Sequence, residues 1–149
     1  PERLVSILRA LKESGEKIVI PLHPRTKRRI EEFNLQGLIK SENIKVIPPL
    51  GYLKFLKTLS KCKKVVTDSG GVQKEAYFMG KPCITLRERT EWIETVHRGL
   101  NLLVGSDEER IVKAIKEFNP KIKPDLSVFG NGRAGYKIKE ALLDFLLKR

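Results

Sequence analysis

Cysteine and histidine are both scarce in this sequence. Cys62 and Cys83 are the only cysteines and His23 and His97 the only histidines, and no C-x-x-C or other ligand spacing relates them. That argues against a structural zinc site. Cys83, inside the run PCITL, reads instead as a small buried hydrophobe, which suits a reducing cytoplasm better than secretion. Long apolar runs are missing too, and none approaches the roughly 20 residues a membrane-spanning helix needs. The opening residues PERLVSILRALKES interleave charge with apolar positions, unlike a secretory leader.

Acidic residues are in the minority. Eighteen Asp and Glu face 30 Lys and Arg, a net charge of +12. Nucleic-acid binding is one reading of such a balance, since basic groups displace counterions from phosphates. A solvated Lys-rich surface of the heat-adapted kind, biased toward anionic ligands, is the other. The cations are spread over nearly every expected helix (Lys12, Arg28, Arg29, Lys57, Lys113, Lys139), and no nucleic-acid-binding signature accompanies them. The second reading is the expectation.

What is present is a steady alternation. Leu4, Ile7, Leu8 and Leu11 recur at helical spacing before Gly15. The runs 17–23, 44–50, 64–69, 82–87 and 101–105 read as five short buried strands, with helices at about 24–33, 52–61, 70–79 and 91–98 between them. Ser106 and Glu109 are spaced as a capping box before a helix carrying Ile111, Ala114, Ile115 and Phe118. Residues 119–132 form a Pro-rich connection, and Asn131 is placed to cap a last helix with Ala134, Ile138, Ala141, Leu142 and Phe145. Strands without polar alternation, separated by helices, imply an α/β domain: a doubly wound parallel sheet flanked by helices. Ligands of such sheets bind beyond the carboxyl ends of the strands.

The most informative stretch is VVTDSGGVQKEAYFMGKP, residues 65–82. A strand runs into Thr67-Asp68-Ser69, two glycines follow, and a helix begins. Glycines there let a ligand approach the backbone, and the helix start offers free N–H groups and positive partial charge, which suit a phosphate. Ser69 adds a hydroxyl, and Glu75, one turn on, is placed to accept both hydroxyls of a ribose. The turn is not a Walker loop, a G-x-G-x-x-G fingerprint or a G-x-S-x-G elbow. Its plain alternative is a tight turn in which Asp68 or Ser69 caps the helix.

TDSGGVQKEAYFMGKPCITLRERTEWIE resembles the signature of the non-hydrolysing UDP-N-acetylglucosamine 2-epimerases, TDSGG-x-Q-E-E-A followed by GKP and a T-E-R or T-E-W segment. PLHPRT (21–26), PPLGYLKFLKTL (48–59), NLLVGSD (101–107) and FGNGRAGYKI (129–138) resemble further family segments in the same order. The resemblance implies the carboxyl-terminal Rossmann-like domain of the glycosyltransferase-B and epimerase architecture. It implies that Ser69, Gly70 and Gly71 hold the UDP diphosphate and that Glu75 grips the ribose. Pro49, Leu50 and Tyr52 would lie against the uracil. Arg87, Thr90 and Glu91 would line the cleft facing the sugar, with Arg87 also reaching the UDP, and His23 would stand in the same cleft, near a second UDP-sugar in some members. Asn131 and Gly132 would begin the last helix. The plain alternatives are a polar strand end for His23, a surface cation for Arg87, an exposed helix position for His97, and interdomain packing for Trp92.

Lys74 departs from the family pattern, which is acidic there, but adjoins Glu75 on the helix and is expected to point elsewhere. Family members are more than twice as long, and their amino-terminal domain supplies the acid–base carboxylates. The expectation is therefore a single UDP-binding domain over 1–149, with no assigned catalytic residue beyond the cleft-lining candidates His23, Arg87 and Glu91, no metal and no cofactor. Its partners would be a UDP-sugar, the amino-terminal domain and a second subunit, and neither nucleic acid nor membrane. One sheet strand, the one feeding the first helix, would lie outside it. An epimerase for UDP-2,3-diacetamido-glucuronic acid, a glycosyltransferase-B half and a basic nucleic-acid-binding domain are the alternatives.

Overall fold

The computed structural model describes residues 2–147. Five strands form, each where an apolar run predicts one: β1 (Ile18–Pro21), β2 (Ile44–Ile47), β3 (Val65–Thr67), β4 (Cys83–Thr85) and β5 (Asn101–Leu103). All ladders are parallel, as expected of the α/β fold, and they make two groups, in keeping with a sheet one of whose strands lies outside the described residues. β1 pairs with β2, and β3–β4–β5 form the other. One apolar core nevertheless joins them. Leu8, Ala10 and Leu11 of α1 (Glu2–Glu13) and Ile111, Ala114 and Ile115 of α7 (Glu108–Glu117) pack with Ile44, Ile84 and Val104. Burying each of the Leu, Ile and Val side chains among them contributes about 1.5–3 kcal/mol.

Helices bridge the two sheets. On one face α3 (Gln36–Ile39) lies against β2, α7 against β4, and α1 touches both α3 and α7. The two groups thus lie side by side under shared helices, in keeping with the doubly wound order 3-2-1-4-5-6 with strand 1 missing among the described residues. Among the described residues, β1 and β3 each keep one strand edge that enters no ladder. Burial follows: β4 is buried at all three positions, whereas β3 is half-buried throughout and Val19 of β1 is exposed.

The remaining helices are α2 (Pro24–Glu32), α4 (Tyr52–Lys61), α5 (Gly70–Phe78), α6 (Ile93–His97) and α8 (Ala134–Leu147). α4 spans the residues its Leu spacing predicts. At α7 the cap is Asp107, whose carboxylate accepts the Arg110 N–H at 2.8 Å, and not Ser106. Gly105, at φ +64°, turns the chain just before it, so Ser106 still belongs to the turn. Asn131 accepts from the Arg133 N–H at 3.2 Å, just ahead of α8. No residue of α8 is buried, so its apolar stripe is not part of the core.

Residues 119–132 run back over α5 and α6. Tyr77 Oη donates to the Asp125 carbonyl and accepts from the Asp125 N–H, both at 3.0 Å. Arg98 pairs with the Asp125 carboxylate at 2.9 Å. The short 3-10 turn Leu126–Phe129 sets the Phe129 ring edge-on to Tyr77, Phe78 and Trp92. This segment is a strap over the end of α5 and across α6.

Candidate functional site

The β3–α5 turn stands at the carboxyl end of β3, where the strand order reverses. Asp68, Ser69 and Gly71 are exposed, so the bend is open to solvent and not sealed in the core. Ser69 takes the N-cap position, yet its hydroxyl makes no capping bond. Its N–H is held by the Thr67 hydroxyl at 3.1 Å. The hydroxyl and the first-turn amides of a nine-residue helix are thus uncommitted and carry positive partial charge.

Two clefts flank this turn. One, of about 390 Å³, is lined by Leu50, Tyr52, Phe55, Ser69, Gly71, Val72 and Glu75. Within it Tyr52 Oη donates to Glu75 Oε1 at 2.8 Å. That bond, with the carboxylate's charge, pushes the Tyr52 phenol above its ordinary range. It also fixes the Glu75 carboxylate toward the cleft, with acceptor capacity left over. The other cleft, of about 480 Å³, lies beyond β4 and is lined by Arg3, Leu86, Arg87, Glu88, Arg89, Thr90 and Glu91. Arg87 and Glu91 form an exposed ion pair at 3.1 Å. A Cβ on Gly70 would collide with the Glu91 carboxylate, so Glu91 lies directly on the first turn of α5.

Of the residues the sequence singles out, Leu50, Tyr52, Ser69, Gly71 and Glu75 meet in one cleft and Arg87, Thr90 and Glu91 in the other. His23 lines neither. It caps α2, its Nδ1 accepting the Arg25 N–H at 3.2 Å. His97 is exposed on α6. The Lys74 ammonium sits 4.2 Å from the Trp92 ring centroid and 5.0 Å from that of Phe129, away from Glu75. Among the described residues no group of three or more His, Cys, Asp or Glu is arranged to hold a metal, and no helix is long and apolar enough to cross a membrane.

A buried polar network behind the clefts escaped the sequence reading. Gln73 Oε1 accepts from the Thr90 hydroxyl at 2.6 Å and from Asn101 Nδ2 at 3.2 Å. Asn101 also donates to Thr95 Oγ1 at 2.9 Å and accepts from Thr85 at 2.6 Å. These bonds hold the Thr90–Trp92 segment against α5, β4 and β5. The available signal was Gln73 itself, a polar residue on the same helix stripe as Ala76 and Tyr77.

With this geometry, comparison with known proteins is decisive. The family model for UDP-N-acetylglucosamine 2-epimerase matches residues 1–143. The chain belongs to the UDP-N-acetylglucosamine 2-epimerase family. A UDP-N-acetylglucosamine 2-epimerase homolog of Methanococcus maripaludis is 49% identical over 95% of this chain and 40% of its own length. The UDP-2,3-diacetamido-2,3-dideoxy-D-glucuronate 2-epimerase of Pseudomonas aeruginosa is 43% identical with the same coverage. The crystal structure of the Methanocaldococcus jannaschii UDP-GlcNAc 2-epimerase with UDP-GlcNAc and UDP superposes with a TM-score of 0.84 at 43% identity, covering 95% of this chain and 41% of that one. This epimerase-family chain thus spans about two fifths of the length of the relatives it matches.

Proposed function

We propose that the chain is the UDP-holding part of an epimerase that interconverts UDP-N-acetylglucosamine and its manno epimer. The reading starts from the diphosphate. Removing the proton at sugar carbon 2 forms a carbon 1–carbon 2 double bond only if the bond from carbon 1 to the phosphate oxygen breaks and its electrons leave with UDP. Re-addition of UDP with protonation at the opposite face gives the epimer. The leaving diphosphate gathers negative charge, and preorganised donors aimed at it lower the barrier most. The uncommitted Ser69 hydroxyl and the amides of Gly70 and Gly71 are suited to that, with Arg87 close by.

The rest of the nucleotide follows the cleft. Glu75 accepts the ribose hydroxyls, and Leu50 and Tyr52 cover the uracil. Binding the remote nucleotide also positions the sugar for reaction. The acid–base carboxylates would come from the remainder of the family's chain length, and the active protein would be a homodimer. Two free thiols, one buried, support a reducing, cytoplasmic setting.

One observation carries this reading: Ser69, Gly71 and Glu75 open on the same cleft as Leu50 and Tyr52. Titration calorimetry with UDP tests it. The wild-type chain binds UDP, and Glu75→Ala weakens binding by about tenfold or more, the worth of a charge-assisted hydrogen bond. An unaltered affinity in that variant sinks the assignment. Retention on a nucleic-acid column that free UDP leaves untouched would favour a nucleic-acid-binding role instead.

A further inference from the structure

One donor beside the start of α5 has no acceptor. The indole Nε1 of Trp92 is buried and makes no hydrogen bond. It stands 3.2 Å from where a Cβ on Gly70, the first residue of α5, would lie. The Glu91 carboxylate crowds the same point without accepting from it. Leaving a buried donor unpaired is costly, and the ring has little freedom to relieve it. The Trp92 backbone N–H donates to the Thr90 hydroxyl at 3.1 Å, and its carbonyl accepts from the Thr95 hydroxyl at 2.6 Å. Phe129 packs edge-on against the indole. Lys74, one turn after Gly70 on the same side of α5, places its ammonium 4.2 Å from the Trp92 ring centroid, 5.0 Å from that of Phe129 and 5.8 Å from that of Phe78. It makes no ion pair among the described residues, so the three rings are its partners. An acid, which the family pattern carries at this position, would be repelled by the ring faces.

Resting on the nucleotide reading above, we propose that Lys74 is a positioning residue, holding the Trp92 indole so that its N–H meets an oxygen of the bound diphosphate. The helix then serves its ligand from two sides. Gly71 and Glu75 open on the cleft with Leu50 and Tyr52, whereas Gly70 and Lys74 face Trp92. A diphosphate seated on the first turn of α5 arrives where the Glu91 carboxylate now lies, and that side chain is about half exposed, at 51%. Once it swings clear, the indole N–H faces a charged acceptor, the stronger kind of hydrogen bond. The donor is already desolvated and immobile, so little ordering cost opposes the bond.

The chain has one tryptophan, so a proton–nitrogen correlation spectrum of the labelled chain carries a single indole signal. UDP is expected to move that signal downfield, as a new hydrogen bond does, while uridine leaves it in place. By calorimetry Trp92→Phe, which keeps a ring but loses the donor, binds UDP about five- to tenfold more weakly. Lys74→Met weakens binding about two- to fivefold and shrinks the indole shift, and Lys74→Arg, which also stacks on aromatic rings, restores both. Well-dispersed amide signals show that each variant is folded. An indole signal unmoved at saturating UDP, or full affinity in Trp92→Phe, overturns the proposal and leaves the UDP reading standing. So does a Lys74→Met variant that binds more weakly with an indole shift of wild-type size, because charge alone then explains the loss. Absence of UDP binding by the wild type overturns both readings.

Discussion

Glu91 is the residue whose position the sequence least prepares one for. Its carboxylate lies on Gly70, at the positive end of α5, while Arg87 holds its other side. In the free chain it is an anion beside the proposed phosphate seat, and an incoming diphosphate meets it as a like charge. Neutralising it should strengthen anion binding. Glu91→Gln is expected to bind UDP about two- to fivefold tighter, in line with the few tenths to one kcal/mol that charges near a helix terminus carry. Binding weakened by this change would show that the carboxylate helps to seat the nucleotide. Cys83 is inert by comparison, because burial pushes its thiol up to about 11 and leaves little thiolate at neutral pH.

At the scale of elements, the strap over α5 depends on one acid. The Ser127 hydroxyl and N–H both donate to Asp125, at 2.5 and 3.1 Å, and hold its carboxyl below the usual range, with Arg98 adding to the effect. A group whose value is lowered by folding stabilises at pH above its unfolded value, and that contribution is lost as pH falls through the lowered, folded one. Trp92, the single tryptophan, packs on Phe129 of the strap and reports its release. Acid titration of its fluorescence should show a step in the wild type that is absent in Asp125→Asn; identical curves would mean that the strap does not depend on this charge.

The strap also shows where sequence reading ran out. α4 and the β3–α5 turn were legible because each is a local pattern: leucines at helical spacing, or a strand ending in Ser-Gly-Gly. The contacts of Tyr77 with Asp125 and of Gln73 with Asn101 join residues 48 and 28 positions apart, which no local pattern encodes. α3 was missed because QGLI is one turn long and contains a glycine. The stripe of α8 was legible as a helix, but periodicity records only that a face is apolar and not what lies against it.

For the molecule as a whole, the division of the sheet is the main feature. Ile18 and Leu22 donate their N–H groups toward the β2 side, at 2.8 and 3.0 Å, so by strand alternation the Val19 N–H points to the opposite edge. Val65 donates to Pro82 at 2.9 Å, which turns the Val66 N–H the same way with respect to β4. Hydrogen exchange followed by NMR should find the Val19 and Val66 amides fast while those of Ile18 and Val65 are protected. Slow exchange at both would mean that these edges are covered in solution.

α8 carries the last consequence. It leaves Tyr136, Ile138, Leu142, Leu143 and Leu146 uncovered on a chain of net charge +12. Greasy contact between two molecules is then opposed mainly by their mutual repulsion, which reaches about 10 Å at 0.1 M ionic strength and shortens as salt is added. The net positive charge of the chain thus works against contact between two such helices, and added salt weakens that opposition.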